Sequence, residues 1–229
     1  MAAMPIADAL SDIRDRIAAT ARAAGRDPAS VRLVAVSKTR PGDDVVAAMA
    51  AGQRVFGENY VQELVAKAAE IPEAEWHVIG HLQSNKVKYI AGISALIHSV
   101  DRLGLAQEID RQWGRLEKVS DVLVQVNISG EATKSGTAED QALQLVREIA
   151  LLPHVRIRGL MTIPPFFDDP EAARPYFKAL RQLAERITKE QFPGVEMAEL
   201  SMGMSGDFEV AIQEGATLVR VGTAIFGAR

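Results

Sequence analysis

RLVAVSKTRPG, residues 32–42, decides the fold. Its first six residues are a short run rich in β-branched side chains, bounded by Pro28 upstream and by Pro41-Gly42 downstream, which reads as a buried strand. Upstream, Ile6, Leu10, Ile13 and Ile17 recur at spacings of four, three and four, the period of an amphipathic helix that ends near Gly25. Downstream the strand pattern repeats at 54–56, 76–80, 95–100, 122–128, 155–161, 197–200 and 217–222, making eight strands. Helix-like stretches separate them near 43–51, 59–70, 84–91, 101–115, 138–151, 170–190 and 205–214. In the sixth of these, Phe177, Leu180, Leu183 and Ile187 share one face. Strands alternating with helices, with no Asn-Gly hairpin signal between strands, call for a parallel sheet. The count predicts an α/β fold, a single parallel (β/α)8 TIM-type barrel with an extra N-terminal helix. A doubly wound open sheet is the alternative, because periodicity counts strands without showing closure.

The 229 residues suit one large domain, expected to run over 1–229 with the helix of 1–25 packed on the barrel. No Pro/Gly/Ser linker or charge block divides the chain. Hydrophobic residues at 48% and charged residues at 24% suffice for a sizeable core. A net charge of −4 gives no general attraction to nucleic acid or anionic lipid, so any bound anion needs a local site. With no cysteine, disulfides, thiolate nucleophiles and Cys-based zinc sites are excluded. The N-terminal stretch carries Asp8 and Asp12 where a signal peptide would be apolar, and no apolar run approaches a membrane span. A cytoplasmic protein without membrane or nucleic-acid partners is expected. The exposed helix faces leave no large apolar stripe, so the expected unit is a monomer.

In parallel barrels the working residues sit at the C-terminal strand ends and in the loops that follow. The first strand ends at Lys38. A lone lysine there is ordinarily solvated, but one that loses its water becomes an amine able to attack an aldehyde and form a Schiff base. Its neighbours decide between the two. The loop SMGMSGDFEVAI (201–212) presents Ser201, Gly203, Ser205 and Gly206 ahead of a helix that Ser205 could cap. VGTAIFG (221–227) places Gly222 and Thr223 at the end of the eighth strand. Either loop alone marks an ordinary turn, whereas the pair after strands seven and eight is where barrels commonly hold phosphate.

Other strand ends are polar. Glu58 and Asn59 follow the second; His81, Gln83, Asn85 and Lys86 follow the third. Ser84, Asn85 and Asp101 also have the character of helix caps. His77 and His81 are four apart but straddle a strand and its turn, so no metal site is expected. Lys134, in the Gly-containing loop after the fifth strand, reads as a phosphate or substrate contact or as an exposed lysine.

Taken in order, VAVSKTRP, FGENYVQE, WHVIGHLQSNK, HSVD, VNISGEATKSG, RGLMTIPP, LSMGMSGDFEVAI and VRVGTAIFGAR resemble the pyridoxal phosphate homeostasis proteins, a family related to the N-terminal barrel of alanine racemase. The resemblance runs from about residue 32 to the C-terminus. It implies pyridoxal 5′-phosphate (PLP) as cofactor, bound covalently through Lys38, with Ser201, Gly222 and Thr223 around the phosphate and Asn59 beside the ring; Ser205, from the loop reading, is expected among the cofactor contacts. Arg220, on the same strand face as Leu218, would approach the pyridine nitrogen. A guanidinium only donates, so it favours an unprotonated ring nitrogen and a weak electron sink. The implied role is intracellular PLP homeostasis without catalytic turnover, with apo-enzymes as recipients. Racemases of this fold type carry a further β-domain that supplies a tyrosine base, and no such domain is expected after the eighth strand. The alternatives are a weak PLP-dependent amino-acid racemase and, from the residues alone, a phosphosugar enzyme using Lys38 as an aldolase-type amine.

Overall fold

The computed structural model describes residues 4–131 and 133–227. Strands β1 (Arg32–Val36), β2 (Val55–Glu58), β3 (Glu75–Val78), β4 (Leu96–Val100), β5 (Ser120–Asn127), β7 (Val155–Met161), β8 (Val195–Ser201) and β9 (Leu218–Val221) run parallel in the order β4-β3-β2-β1-β9-β8-β7-β5. Pairing of β4 with β5 closes the ring. This is the expected (β/α)8 barrel and rules out the open sheet. A two-residue strand, β6 (Thr137–Ala138), adds to the end of β5 beside Val126 and Asn127. It is too short for alternation to reveal in the sequence.

Alternation within each strand divides the core. Val34, Leu96, Leu123, Met161 and Leu218 fill the barrel interior, with Val55 packed on them. Leu33, Ala35, Phe56, Trp76, Val122 and Val219 face outward, into the shell of helices. That shell includes α2 (Gly42–Ala50), α3 (Val61–Glu70), α5 (Leu103–Gly114), α6 (Glu139–Ile149) and α7 (Arg174–Lys189). Phe177, Leu180, Leu183, Ala184 and Ile187 form the buried stripe of α7. Burying a side chain of that size contributes roughly 1.5–3 kcal/mol. The stretch 84–91 is broken into a 3₁₀ turn (Ser84–Lys86) and a single helical turn α4 (Val87–Ile90).

Helix α1 (Ile6–Ala23) buries Leu10, Ile13, Ile17 and Ala21 and packs against α2 and the two short helices of the last turns, α8 (Phe208–Gln213) and α9 (Thr223–Phe226). It therefore braces the segments that follow β8 and β9. No described helix is long and apolar enough to cross a membrane.

Candidate cofactor site

Inward-facing positions recur every second residue, so Val34, Val36 and Lys38 lie on one side of β1 and its extension. Lys38, half-buried, thereby reaches a cavity of about 500 Å³ at the C-terminal mouth of the barrel. That is within the roughly 300–1,000 Å³ usual for small-molecule sites. Asn59 enters from β2, His81 from the loop after β3, Lys134 from the loop after β5, Ser205 from the loop after β8, and Gly222 and Thr223 from the end of β9. Arg220 reaches the same cavity from its inner-facing position on β9.

The two loops nominated for phosphate meet. The main-chain N–H of Ala224 donates to Ser205 Oγ at 3.5 Å. Ser205 does not cap α8; Asp207, the residue before that helix, instead accepts the Met204 N–H at 2.6 Å. The cap falls two residues later because the chain makes a turn through 205–207 before the helix starts. Burial raises the pKa of the Asp207 carboxyl, against the hydrogen bond from Met204 and the charge of Arg220. The backbone at Gly222 passes close under β1. A Cβ there would lie 3.2 Å from both Cβ and O of Val36, so only a glycine leaves this seat open without pressing on β1.

Ser201 lies apart from the other nominated residues. It is fully buried and lies outside the cavity lining, a layer below the loops. Its Oγ accepts from Arg220 Nη1 at 2.5 Å and lies 2.8 Å from His98 Nδ1. It touches Arg220 rather than the space an anion would fill. Arg220 also donates from Nη2 to the carbonyl oxygen of Thr162 at 2.9 Å. Burial pushes its pKa down to about 10, opposed by the charge of Asp207.

Other residues take unpromised roles. Glu58 points away from the cavity and is buried beneath β1 and β2; its Oε1 accepts from Ser37 Oγ and Lys67 Nζ, each at 2.7 Å. Burial raises its pKa despite those two partners. Lys134 pairs with Glu131 at 3.3 Å beside the cavity. Neither Ser84 nor Asn85 caps α4; Asp101 does not cap α5 and instead accepts from Arg102 Nη1 at 2.6 Å. His77 faces the barrel interior while His81 is exposed, and no cluster able to hold a metal occurs among the described residues. Sequence reading missed Lys67, His77 and His98 as supporting residues. For the histidines the signal was available, since Glu75, His77 and His98 fall at inward positions of buried strands.

Comparison with known proteins gives the family. The family model described as alanine racemase, N-terminal domain, matches residues 9–229. The pyridoxal phosphate homeostasis protein of Aquifex aeolicus (strain VF5) is 45% identical over 228 residues, covering 99% of this chain and 99% of its own length. The protein of the same name from Escherichia coli (strain K12) is 44% identical, covering 98% of this chain and 97% of its own. Among solved structures, PipY of Synechococcus elongatus PCC7942 with PLP bound superposes with a TM-score of 0.85 at 38% identity, covering 97% of this chain and 100% of that one. With a shared fold and end-to-end sequence identity of this order, the chain belongs to the family of the pyridoxal phosphate homeostasis proteins.

Proposed function

We propose that this chain binds PLP at the mouth of the barrel as a Schiff base on Lys38, and that it stores and releases the cofactor without turning over a substrate. The observation that carries the reading is the meeting of Lys38 with Ser205, Gly222 and Thr223 in one cavity with Arg220 at its floor. The donor set fits the group. Lys38 supplies the amine, small residues from the loops after β8 and β9 suit a phosphate, and Asn59 stands where it can touch a ring. PLP would supply an aldehyde for the lysine and, in enzymes, an electron sink for carbanions. The binding of PLP by PipY, at 38% identity, supports the same cofactor here.

Two features favour storage over catalysis. Arg220 can only donate a hydrogen bond, and a donor at the ring nitrogen disfavours the protonated ring that best withdraws electrons. None of the three tyrosines lines the cavity, which leaves no phenol as a second base. In this reading the whole chain is one cofactor-binding domain acting as a monomer inside the cell, and apo-enzymes are the recipients.

The test is direct. Protein saturated with PLP should show visible Schiff-base absorption and, after borohydride reduction, one adduct on the peptide carrying Lys38. Lys38→Ala should lose both while unfolding cooperatively as before. Absence of absorption and adduct from the wild type would overturn the cofactor assignment. Loss of optical rotation from alanine or serine at enzyme-like rates would overturn the non-catalytic part.

A further inference from the structure

A line of polar side chains crosses the apolar interior of the barrel. Glu75 Oε1 lies 2.9 Å from His77 Nε2, His77 Nδ1 lies 2.9 Å from His98 Nε2, and His98 Nδ1 lies 2.8 Å from Ser201 Oγ. Ser201 Oγ in turn accepts from Arg220 Nη1. The line starts at the bottom rim, where the Glu75 side chain is 41% exposed and sits 3.5 Å from Arg32. It passes from β3 to β4 and then spans the barrel to β8, which β5 and β7 separate from β4 in the ring. Its far end is the one arginine among the described residues that line the cavity.

With both imidazoles neutral, the carboxylate end of the line leaves one arrangement of hydrogens. A guanidinium only donates and a carboxylate only accepts, while each neutral imidazole has one donor and one acceptor nitrogen. Ser201 must therefore accept from Arg220 and donate to His98 Nδ1. His98 must donate from Nε2 to His77 Nδ1, and His77 from Nε2 to Glu75. Both neutral histidines then carry their proton on Nε2. A proton on His98 Nδ1 would leave Nε2 to accept from His77 Nδ1, and His77, whose Nε2 already donates to Glu75, would then have to carry two protons. We propose that Glu75, His77, His98 and Ser201 form a one-directional relay that fixes the Arg220 guanidinium at the cavity floor, with His98 a positioning residue for the cofactor ring. Burial holds both imidazoles below their ordinary pKa, and the positive charge of Arg220 acts on His98 in the same direction. The apolar layer of Leu96, Leu123 and Leu218 would accept a leucine in place of His98 if filling were its sole role.

The relay itself is tested without cofactor. In histidine-labelled protein free of PLP, nitrogen NMR should find His77 and His98 both neutral with the proton on Nε2 at neutral pH. An Nδ1 proton or an imidazolium on either overturns the relay. In arginine-labelled protein, restricted rotation of the Arg220 guanidinium should be lost in His98→Leu, although the hydrogen bonds of His98 go to His77 and Ser201, and in Ser201→Ala. Should His98→Leu fold poorly, Ser201→Ala, which changes less volume, decides the same point. Unchanged Arg220 signals in a folded variant overturn positioning, even where the melting temperature falls. The link to the ring site rests on the PLP reading above, and titration with PLP itself tests it. The dissociation constant should rise on the order of tenfold in either variant, the loss of about one hydrogen bond. Unchanged affinity overturns the link. If the wild type fails to bind PLP, the cofactor reading falls while the two NMR measurements still decide the relay.

Discussion

The ammonium of Lys67 lies 2.7 Å from the main-chain oxygen of Ser37, the residue immediately before Lys38. The same ammonium lies 2.7 Å from Glu58 Oε1, which also accepts the Ser37 hydroxyl. On the other side of Lys38, Glu63 Oε2 accepts the N–H of Thr39 at 2.7 Å, and Thr39 sits in the left-handed region at φ 62°. The backbone carrying the candidate Schiff-base lysine is thus held on both flanks by side chains from β2 and α3. An unfavoured backbone conformation persists when its surroundings over-determine it, and a reactive group is best presented from such a rigid frame.

Removing one half of this buried pair should be costly. Lys67→Met leaves Glu58 as an uncompensated buried carboxylate, and the expected loss is about 3–5 kcal/mol. Urea unfolding at neutral pH measures it. Adding Glu58→Gln should restore part of that loss, since the stranded charge is then gone. A loss below about 1 kcal/mol for Lys67→Met, the range of exposed ion pairs, would mean that the pair contributes nothing beyond a surface contact.

Thr223→Val should separate binding from stability. Thr223 is exposed at the cavity mouth, so folding stability should move by no more than about 0.5 kcal/mol. Retention of PLP should weaken by roughly 1–3 kcal/mol through loss of one charge-assisted phosphate hydrogen bond. Absorbance titration with PLP reads the second quantity, and equal retention in both proteins would remove Thr223 from the phosphate contacts.

Gly80 presents a steric case. A Cβ on it would fall 2.6 Å from both Cα and O of Asn59, which are main-chain atoms that cannot rotate away. Gly80→Ala should therefore push the β2 loop outward, at an overpacking cost of about 1–3 kcal/mol, and displace Asn59 from the cavity. A thermal unfolding midpoint equal to that of the wild type would show that the loop yields without strain.

What the sequence disclosed, and what it hid, divides along a physical line. The strands were legible because runs such as those around Val34 and Val124 are β-branched and bounded by turn residues, and α7 because its apolar spacing is helical. That Lys38, Gly222 and Thr223 would line one cavity was legible because strand ends open onto the mouth of a barrel. The depth of Ser201 was hidden because depth within the barrel depends on strand tilt and stagger, which a linear pattern does not contain. Lys67 was hidden because its partner Glu58 lies on a different element, and facing across a strand-helix layer is a tertiary fact. The cap of α8 was misplaced by two residues because a turn and the first turn of a helix share the same small polar residues.

The buried histidines set the direction of the pH response. His77 and His98 have folded pKa values below the ordinary 6.5, in each case chiefly because burial penalises the charged ring. As pH falls through 6.5 the unfolded chain takes up protons that the folded chain does not, so the stability these residues provide is present above that pH and lost below it. Each histidine that stays neutral in the fold should give a slope of about 1.4 kcal/mol per pH unit in that window. Glu75, lowered first by its hydrogen bond from His77, adds a loss only at lower pH, as its carboxyl meets the ordinary value of 4.5. Glu58, raised by burial, acts oppositely: its contribution falls as pH rises through 4.5 toward its folded value. Comparing wild type with His98→Leu cancels the carboxylates that the two proteins share. Unfolding free energies from pH 5 to 8 should show the wild-type advantage growing with pH by roughly 1.4 kcal/mol per unit up to about 6.5 and level beyond it. A difference independent of pH would mean that His98 titrates alike in the folded and unfolded chains and is not held neutral within the barrel.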